Sequence, residues 1–288
     1  MFPERLAQGA ARIQDHFDLV LGALDDINVT RAMAYATQGG KRLRGFLVQE
    51  SARLHDVDEG RSIWPATGIE ALHAYSLVHD DLPCMDDDDL RRGRPTVPVQ
   101  WPEGIGVLAG AALQTLAFEL CTRPEVGDAQ TRADLALTLA QASGAQGMVL
   151  GQALDIAAET AATPLTLEQI TRLQAGKTGA LIEWSACAGA RLAQADPAPL
   201  RDYARALGLA FQIADDILDV EGDVVKAGKR LQKDADAGKA TFVSLLGLEA
   251  AKTRAAELVE TACAALDGYG ASAETLKDAA RFVIARDS

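Results

Sequence analysis

Apolar residues recur at three- and four-residue spacing along most of the chain. This pattern is typical of amphipathic helices. Strand-forming runs of β-branched and aromatic residues are scarce, and no linker or low-complexity tract divides the chain. The sequence therefore predicts one all-α domain, residues 1–288, with roughly ten or more helices. The longest predicted helical runs are 66–82, 104–121, 131–158, 166–193, 199–221 and 238–248.

Composition and charge narrow the class of protein. Apolar residues make up 48% of the chain, which allows a large core, but no uninterrupted apolar stretch is long enough to predict stable membrane insertion. A net charge of −13 argues against nucleic acid, since the overall field repels phosphate. Four scattered cysteines without C-x-x-C spacing, and a charged N-terminus unlike a secretory signal, indicate a cytoplasmic protein with reduced thiols.

Two aspartate clusters, each at the end of an apolar helical run, suggest the chemistry. The first, from His73 to Gly93, reads HAYSLVHDDLPCMDDDDLRRG, and the second, from Ala210 to Asp219, reads AFQIADDILD. A single acidic run is most often a solvated surface loop. The recurrence of Asp-Asp after an apolar helix instead indicates oxygen-rich sites for Mg²⁺, which binds a few carboxylates together with substrate phosphates.

Helical spacing places other groups beside these carboxylates. His73 lies seven residues before Asp80 and so two turns away on nearly the same helix face. Asp215 and Asp219 form an i,i+4 pair, which repels without a cation, and Gln212 precedes Asp215 by about one turn. A histidine alone would more often be a hydrogen-bonded core residue, but its position near carboxylates favours a role in a site.

Basic residues that could hold an anion occur in three sets. Gly39-Gly40-Lys41-Arg42-Leu43-Arg44 places glycines ahead of three cations, and Arg91-Arg92-Gly93-Arg94 follows the first aspartate cluster directly. Gly176-Lys177-Thr178-Gly179 interrupts the run 166–193 at a cost of about 1 kcal/mol per glycine relative to alanine. Aiming Lys177 and Thr178 into a cavity would justify that cost.

These motifs resemble those of the trans-isoprenyl diphosphate synthases, and most closely of the bacterial farnesyl-type group. The resemblance runs from about residue 30 to the C-terminus. It is carried, in order, by GGKRLR at 39–44, the aspartate-rich segment at 73–93, RPT at 94–96, GKTGALI at 176–182, FQIADDILD at 211–219 and GKATFVSLLGL at 238–248. It implies a homodimeric helical bundle of the isoprenoid synthase fold around a deep central cavity.

The resemblance also implies roles for individual residues. It implies roughly three Mg²⁺ ions shared with an allylic prenyl diphosphate. Their implied ligands are Asp80, Asp86 and Asp215, supported by Asp81, Asp216 and Asp219. The implied groups at the allylic diphosphate are Arg91, Lys177 and Lys229, with Lys239 nearby, and Thr178 and Gln212 face the allylic cation. The implied pocket for isopentenyl diphosphate is Gly40, Lys41, Arg44, His73 and Arg92.

The implied reaction is elongation of an allylic diphosphate, and the product length depends on the cavity floor. Tyr75 precedes Asp80 by five residues, about 7 Å along a helix. An aromatic ring there predicts a C15 product, with C10 and C20 as alternatives, whereas the neighbouring Ser76 is too small to block growth. The alternative interpretation is that Tyr75 is an ordinary core aromatic.

The chain also departs from the family pattern at four positions. Gly45 replaces a proline expected at the first position of a helix, so looser isopentenyl diphosphate binding is predicted. The other departures are Pro98, Ala111 and Gln232.

Two other functions compete with prenyl elongation. One is a class I terpene cyclase, which usually carries a different second metal motif. The other is a non-catalytic partner subunit, which generally loses aspartates that this chain keeps.

Overall fold

The regular secondary structure in the described part of the protein is almost entirely helical. The computed structural model describes residues 2–161, 163–221 and 240–285. The only strands among these residues pair as one short antiparallel hairpin. The all-α prediction is therefore confirmed. Tertiary contacts group the chain into two compact units, residues 1–136 with 188–195, and residues 137–187 with 196–288. The prediction of a single domain stays a prediction.

Six α-helices, a 3₁₀ helix and a hairpin lie wholly within the first unit in the described residues. Its core lies where α4 packs against α3 and α6, with residues such as Phe46, Leu72 and Leu113 fully buried. The elements are α1 (Phe2–Gly22), α2 (Asn28–Ala36), α3 (Leu43–Leu54), α4 (Glu59–Asp80), β1 (Leu90–Arg91), β2 (Arg94–Pro95), α5 (Val97–Gln100), α6 (Glu103–Thr122) and a 3₁₀ helix (Pro124–Val126).

The remaining helices belong wholly or in part to the second unit. Its core is formed by α11 packed on α13 and α14, and the buried Tyr203 hydroxyl donates to the Leu276 carbonyl over 2.8 Å. The elements are α7 (Ala129–Ser143), α8 (Met148–Glu159), α9 (Leu167–Gln174), a π-helix (Ala175–Gly179), α10 (Ala180–Leu192), α11 (Ala198–Glu221), α12 (Phe242–Leu246), α13 (Leu248–Ala265), a 3₁₀ helix (Asp267–Ala273) and α14 (Glu274–Ala285).

Several predicted helical runs are confirmed, but their boundaries differ. The run 104–121 corresponds to α6 and the run 199–221 to α11. The run 131–158 is wrong as a continuous helix, because it breaks between Ser143 and Met148. A Cβ on Gly147 would lie 2.0 Å from the Ala142 carbonyl oxygen, so the chain turns there in a way that requires glycine. Periodicity alone does not reveal such a turn, since both flanking helices keep their apolar faces.

Helix α6 is the one helix in the described ranges that is long and apolar enough to cross a membrane by length and composition. A buried core helix passes the same test, and α6 packs on α4 and α2 with Leu113 and Ala117 fully buried. Its outward positions Val107, Leu108 and Ala111 are exposed. The helix therefore builds the core of the first unit and leaves one apolar face uncovered.

Candidate active site

The segment Gly39–Arg44 forms a tight loop that enters α3. Gly39 and Gly40 have φ values of 72° and 85°, and Arg42 also adopts the left-handed region, with a φ of 53°. This backbone turns the three cations in different directions. Lys41 is exposed and Arg44 is half-buried, whereas Arg42 is buried. Two of the three basic side chains thus keep some solvent exposure, and the third belongs to the interior.

The hairpin brings Arg92 to this loop. Arg92 and Gly93 form the hairpin turn with φ values of 54° and 72°, the pair of positive φ angles that a two-residue type I′ turn requires. Arg92 Nη1 donates to the Gly39 carbonyl over 3.3 Å. A Cβ on Gly40 would lie 2.7 Å from the Arg92 guanidinium carbon and would displace it, and the φ of 85° at Gly40 itself favours glycine. The structure therefore brings Gly40 and Arg92 together.

His73 lies close to these arginines in the first unit. Burial, together with the charges of Arg44 and Arg92, lowers the pKa of His73 well below 6.5. The imidazole is consequently neutral near pH 7 and can donate one hydrogen bond to an anion. The structure thus gathers Gly40, Arg44, His73 and Arg92, with Lys41 next to them in the loop. Sequence reasoning assigned all five to one pocket.

The first aspartate cluster follows the end of α4. Asp80 is the last helical residue, and the Asp86 amide donates to the Asp80 carbonyl over 2.8 Å, which folds the acidic segment back on the helix end. Asp81 is buried and accepts two hydrogen bonds from Arg91, from Nε over 2.8 Å and from Nη2 over 2.6 Å. Arg91 is thereby fixed in orientation, and Asp81 acts as a support rather than as an open ligand.

The residues predicted to set chain length lie on α4. The half-buried Tyr75 packs edge-on against His79, with ring centroids 5.0 Å apart, and burial and the charge of Asp80 raise its pKa. His79 is crowded from α6, because a Cβ on Gly110 would lie 2.1 Å from its ring. Ser76 Oγ donates to the His73 carbonyl. The contact between the rings of Tyr75 and His79 was not predicted from the sequence.

The second unit presents Lys177 from the π-helix Ala175–Gly179. A π-helical turn within a longer helix is frequent at functional sites. Gly151 of α8 packs directly on it, since a Cβ there would lie 2.0 Å from the Lys177 backbone nitrogen. This contact sets α8 close enough for Asp155 to bind the Lys177 ammonium over 2.6 Å. The sequence predicted the helix interruption but not the role of Asp155, because a single carboxylate on a helix gives no signal of its partner.

The second aspartate cluster lies near the C-terminal end of α11 in the same unit. Asp215, Asp216 and Asp219 are half-buried, as is Gln212. Asp216 accepts the Phe242 amide over 2.6 Å and so holds the start of α12. Helix α11 packs on the π-helix, where a Cβ on Gly208 would lie 3.3 Å from the Gly179 Cα. The second unit therefore places Gln212 and the aspartates on the helix that touches the segment with Lys177 and Thr178.

Some predicted site residues lie outside the described residues, namely Lys229, Lys239 and the departure at Gln232. Among the residues that are described, no three His, Cys, Asp or Glu side chains form a group that could hold a metal ion. Mg²⁺ typically takes one or two protein carboxylates and completes its shell with substrate phosphates and water. The all-oxygen donors of the two aspartate clusters are of the chemical type that Mg²⁺ prefers.

The expectation for Gly45 is wrong in its premise. Gly45 is the third residue of α3, not the first, and its amide donates to Glu70 Oε1 over 2.8 Å. A Cβ there would lie 2.5 Å from Ile13 Cδ1. A proline would remove the hydrogen bond and collide with α1, so glycine is suited to this position.

Comparison with known proteins identifies the family. Residues 27–277 match the polyprenyl synthetase family, and the chain belongs to that family. A farnesyl diphosphate synthase from Escherichia coli is 47% identical over 81% of this chain and 80% of its own length. A farnesyl diphosphate synthase from Haemophilus influenzae is 40% identical over 100% and 99% of the two chains. The apo crystal structure of an FPP/GFPP synthase from Zymomonas mobilis has a TM-score of 0.91, 44% identity and 98% coverage of both chains.

Proposed function

We propose that this chain is a Mg²⁺-dependent prenyltransferase, a farnesyl diphosphate synthase. It condenses isopentenyl diphosphate with dimethylallyl or geranyl diphosphate and releases the C15 product. The observation that carries the proposal is the anion-binding group of Gly40, Arg44, His73 and Arg92, beside which Asp81 holds Arg91 in a fixed orientation. Two anion-binding groups suit an enzyme with two diphosphate substrates.

The basic groups lower the barrier to ionisation of the allylic substrate. Diphosphate leaves slowly until its negative charge is neutralised, and fixed donors aimed at the departing oxygens supply that neutralisation. Arg91, already oriented by Asp81, and Lys177 perform this role, with Lys229 and Lys239 as further proposed donors. Asp80, Asp86 and Asp215 are the residues that would hold Mg²⁺, which would supply Lewis-acid charge neutralisation to the leaving diphosphate.

Carbon–carbon bond formation then needs positioning more than side-chain chemistry. The allylic C–O bond breaks and the cation meets the alkene of isopentenyl diphosphate, which the loop residues and the neutral His73 hold in place. Oxygen atoms of Thr178 and Gln212 stabilise the cation. The departing diphosphate accepts the proton that is lost as the new double bond forms, so atoms and charge balance without a dedicated protein base.

Tyr75 is the proposed floor of the cavity. Its ring packs on His79 and lies about 7 Å along α4 from Asp80, where a growing chain would meet it, and Ser76 beside it is small. The names of the Escherichia coli and Haemophilus influenzae relatives support a C15 product over the C10 and C20 alternatives. Replacing Tyr75 by alanine should lengthen the product. An unchanged product distribution in Tyr75→Ala would remove the ring from this role.

The single domain, the homodimer and the cytoplasmic location complete the proposal. One family match over residues 27–277 supports a single functional domain. The exposed Leu108 and Val107 on the outward face of α6 offer an apolar surface that a second copy could cover. Four free cysteines suit a reducing compartment. Sedimentation of the wild type and of a Leu108→Asp variant tests the assembly, and a wild type that sediments as a monomer rejects it.

The experiment that tests the function is an elongation assay with the purified chain. The protein receives Mg²⁺, isopentenyl diphosphate and geranyl diphosphate, and the dephosphorylated products are separated by gas chromatography with mass spectrometry. Asp80→Asn should lower the rate on the order of 10²-fold, whereas Asp87→Asn, in the same exposed segment, serves as the control. A cyclised hydrocarbon would favour a terpene cyclase. No turnover by the chain alone would favour a non-catalytic partner subunit.

A further inference from the structure

A buried charge network lies behind the loop Gly39–Arg44. Arg42 is 5% exposed and Glu70 is 3% exposed, and Arg42 Nη1 lies 3.7 Å from Glu70 Oε2. Arg42 Nη2 also donates to the Thr37 carbonyl and, over 2.9 Å, to Gln14 Oε1 of α1. The guanidinium stands over the Phe17 ring, 5.1 Å from its centroid. Buried charges persist only when paired and hydrogen-bonded in this way.

Glu70 joins the loop to the helix that carries His73. Its second oxygen, Oε1, accepts the Gly45 amide, so one carboxylate holds both the loop residue Arg42 and the first turn of α3. Glu70 and His73 are three residues apart on α4 and therefore neighbours on its surface. Through this single side chain, the loop, α3 and the His73 face of α4 are fixed relative to one another.

The loop needs such an anchor because its backbone is strained. Arg42 adopts a left-handed conformation, with φ 53° and ψ 37°, which residues other than glycine rarely adopt. Residues persist in this region only when their surroundings hold them there, and they concentrate at functional sites. Gly39 and Gly40 on one side are free of this cost but offer no side chain that could fix the loop.

We propose that Arg42 and Glu70 are positioning residues for the isopentenyl diphosphate subsite. They do not touch the diphosphate, but their pairing holds the loop so that Gly40, Lys41 and Arg44 face the same anion as His73 and Arg92. The inference rests on the proposed function of this pocket. It predicts that weakening the pair harms binding of isopentenyl diphosphate and leaves the allylic substrate almost unaffected.

Glu70→Gln tests the inference because glutamine keeps the shape and the acceptor for the Gly45 amide but removes the charge that faces Arg42. The KM for isopentenyl diphosphate should rise on the order of tenfold, as expected when a group is displaced by a fraction of an ångström. The KM for geranyl diphosphate should stay within about twofold of wild type. Hydrogen exchange at the amides of residues 39–41 should accelerate.

Glu50→Gln is the matched control. Glu50 is also 3% exposed and charge-paired, with Arg5 at 2.6 Å and Arg53 at 3.0 Å, but it lies on α3 away from the loop. It should lower thermal stability without a change in either KM. Arg42→Lys serves as a second test if Glu70→Gln does not fold, since it keeps the charge and loses the forked contacts to Thr37 and Gln14.

The outcomes separate this inference from the proposed function. A selective rise in the KM for isopentenyl diphosphate, seen in either Glu70→Gln or Arg42→Lys and absent in Glu50→Gln, supports it. Equal rises for both substrates, or lower stability with unchanged KM values, overturn it while the enzyme's activity stands. A wild-type protein that elongates no prenyl chain rejects the proposed function itself.

Discussion

The loop Gly39–Arg44 and the π-helix Ala175–Gly179 both present basic side chains, but they are held by different forces. The backbone of the loop is strained at Arg42, and the buried pair of Arg42 and Glu70 holds it in place. The π-helix depends on close packing, since Gly151 leaves no space for a methyl group against the Lys177 backbone. One segment should therefore be sensitive to charge and the other to volume.

The largest effect is expected from adding volume at the π-helix. In Gly151→Ala the new Cβ would lie 2.0 Å from the Lys177 nitrogen and 2.6 Å from the Gly176 carbonyl carbon, and these backbone atoms cannot move aside alone. The variant should lose about 3 kcal/mol of unfolding free energy, and its KM for the allylic diphosphate should rise. Chemical denaturation and steady-state kinetics measure the two effects.

Gly104→Ala provides the control, because a methyl group added at Gly104 of α6 would meet no other atom within 4 Å. This variant should be as stable as wild type or up to about 1 kcal/mol more stable. Equal stability of the alanine variants at 104 and 151 would show that packing does not hold the π-helix.

A proline at position 45 would perturb the loop Gly39–Arg44 from the first turn of α3. Gly45→Pro removes the backbone N–H that donates a hydrogen bond to Glu70 and brings ring atoms against Ile13. About 2 kcal/mol of unfolding free energy should therefore be lost. The KM for isopentenyl diphosphate should increase. Gly45→Ala keeps the amide but adds the same Cβ, so the difference between the two variants measures the hydrogen bond. A proline variant as stable as wild type would contradict the role given to Glu70.

A smaller effect is expected from the partner of Lys177. In Asp155→Asn the ion pair is lost, but both groups retain some exposure, so the stability change should be on the order of 0.5 kcal/mol. Losing a negative charge beside Lys177 should lower the KM for the allylic diphosphate, since the ammonium no longer has to leave a carboxylate. An increased KM would instead indicate that Asp155 orients Lys177 for the substrate.

The smallest effect concerns pH and only the first unit, because all four histidines lie before residue 80. The pKa of His73 is lowered in the folded state by burial and then by the charges of neighbouring arginines. Below pH 6.5 the unfolded chain therefore binds a proton that the folded chain does not, and stability falls as pH falls. The groups facing His73 are Arg42, Arg44, Arg91 and Arg92.

His73→Gln removes this titration. Thermal unfolding at pH 7.5 and at pH 5.5 should show a smaller loss of Tm on acidification in the variant than in wild type, with the remaining loss due to other groups such as His16. An identical loss in both proteins would mean that His73 is not buried among the cations.

The sequence was sufficient for the fold class and the family, because long amphipathic runs and six ordered motifs each constrain the answer independently. The helix interruption at Gly176 and Gly179 was predictable from glycine placement, and the structure resolves it as a π-helix. The turn between α7 and α8 was missed, since glycines at 144 and 147 lie in a run whose periodicity continues on both sides.

The site was predictable only where a residue's role follows from its chemical type. Lys41 and Arg44 were distinguishable from Arg42 by resemblance alone, and the reason becomes visible only in three dimensions, where Arg42 turns inward to Glu70. Asp216 looks like its neighbours in sequence but holds the Phe242 amide. Such assignments depend on contacts between distant segments, which no local pattern encodes.

The most direct test of the central claim compares Lys41→Met with Lys177→Met. The KM values for isopentenyl and geranyl diphosphate are measured for both variants and for wild type under saturating Mg²⁺. If each basic segment serves one substrate, Lys41→Met should raise the KM for isopentenyl diphosphate only, and Lys177→Met should raise that for geranyl diphosphate only. If both variants raise the same KM, the assignment of the loop and the π-helix to different substrates is wrong.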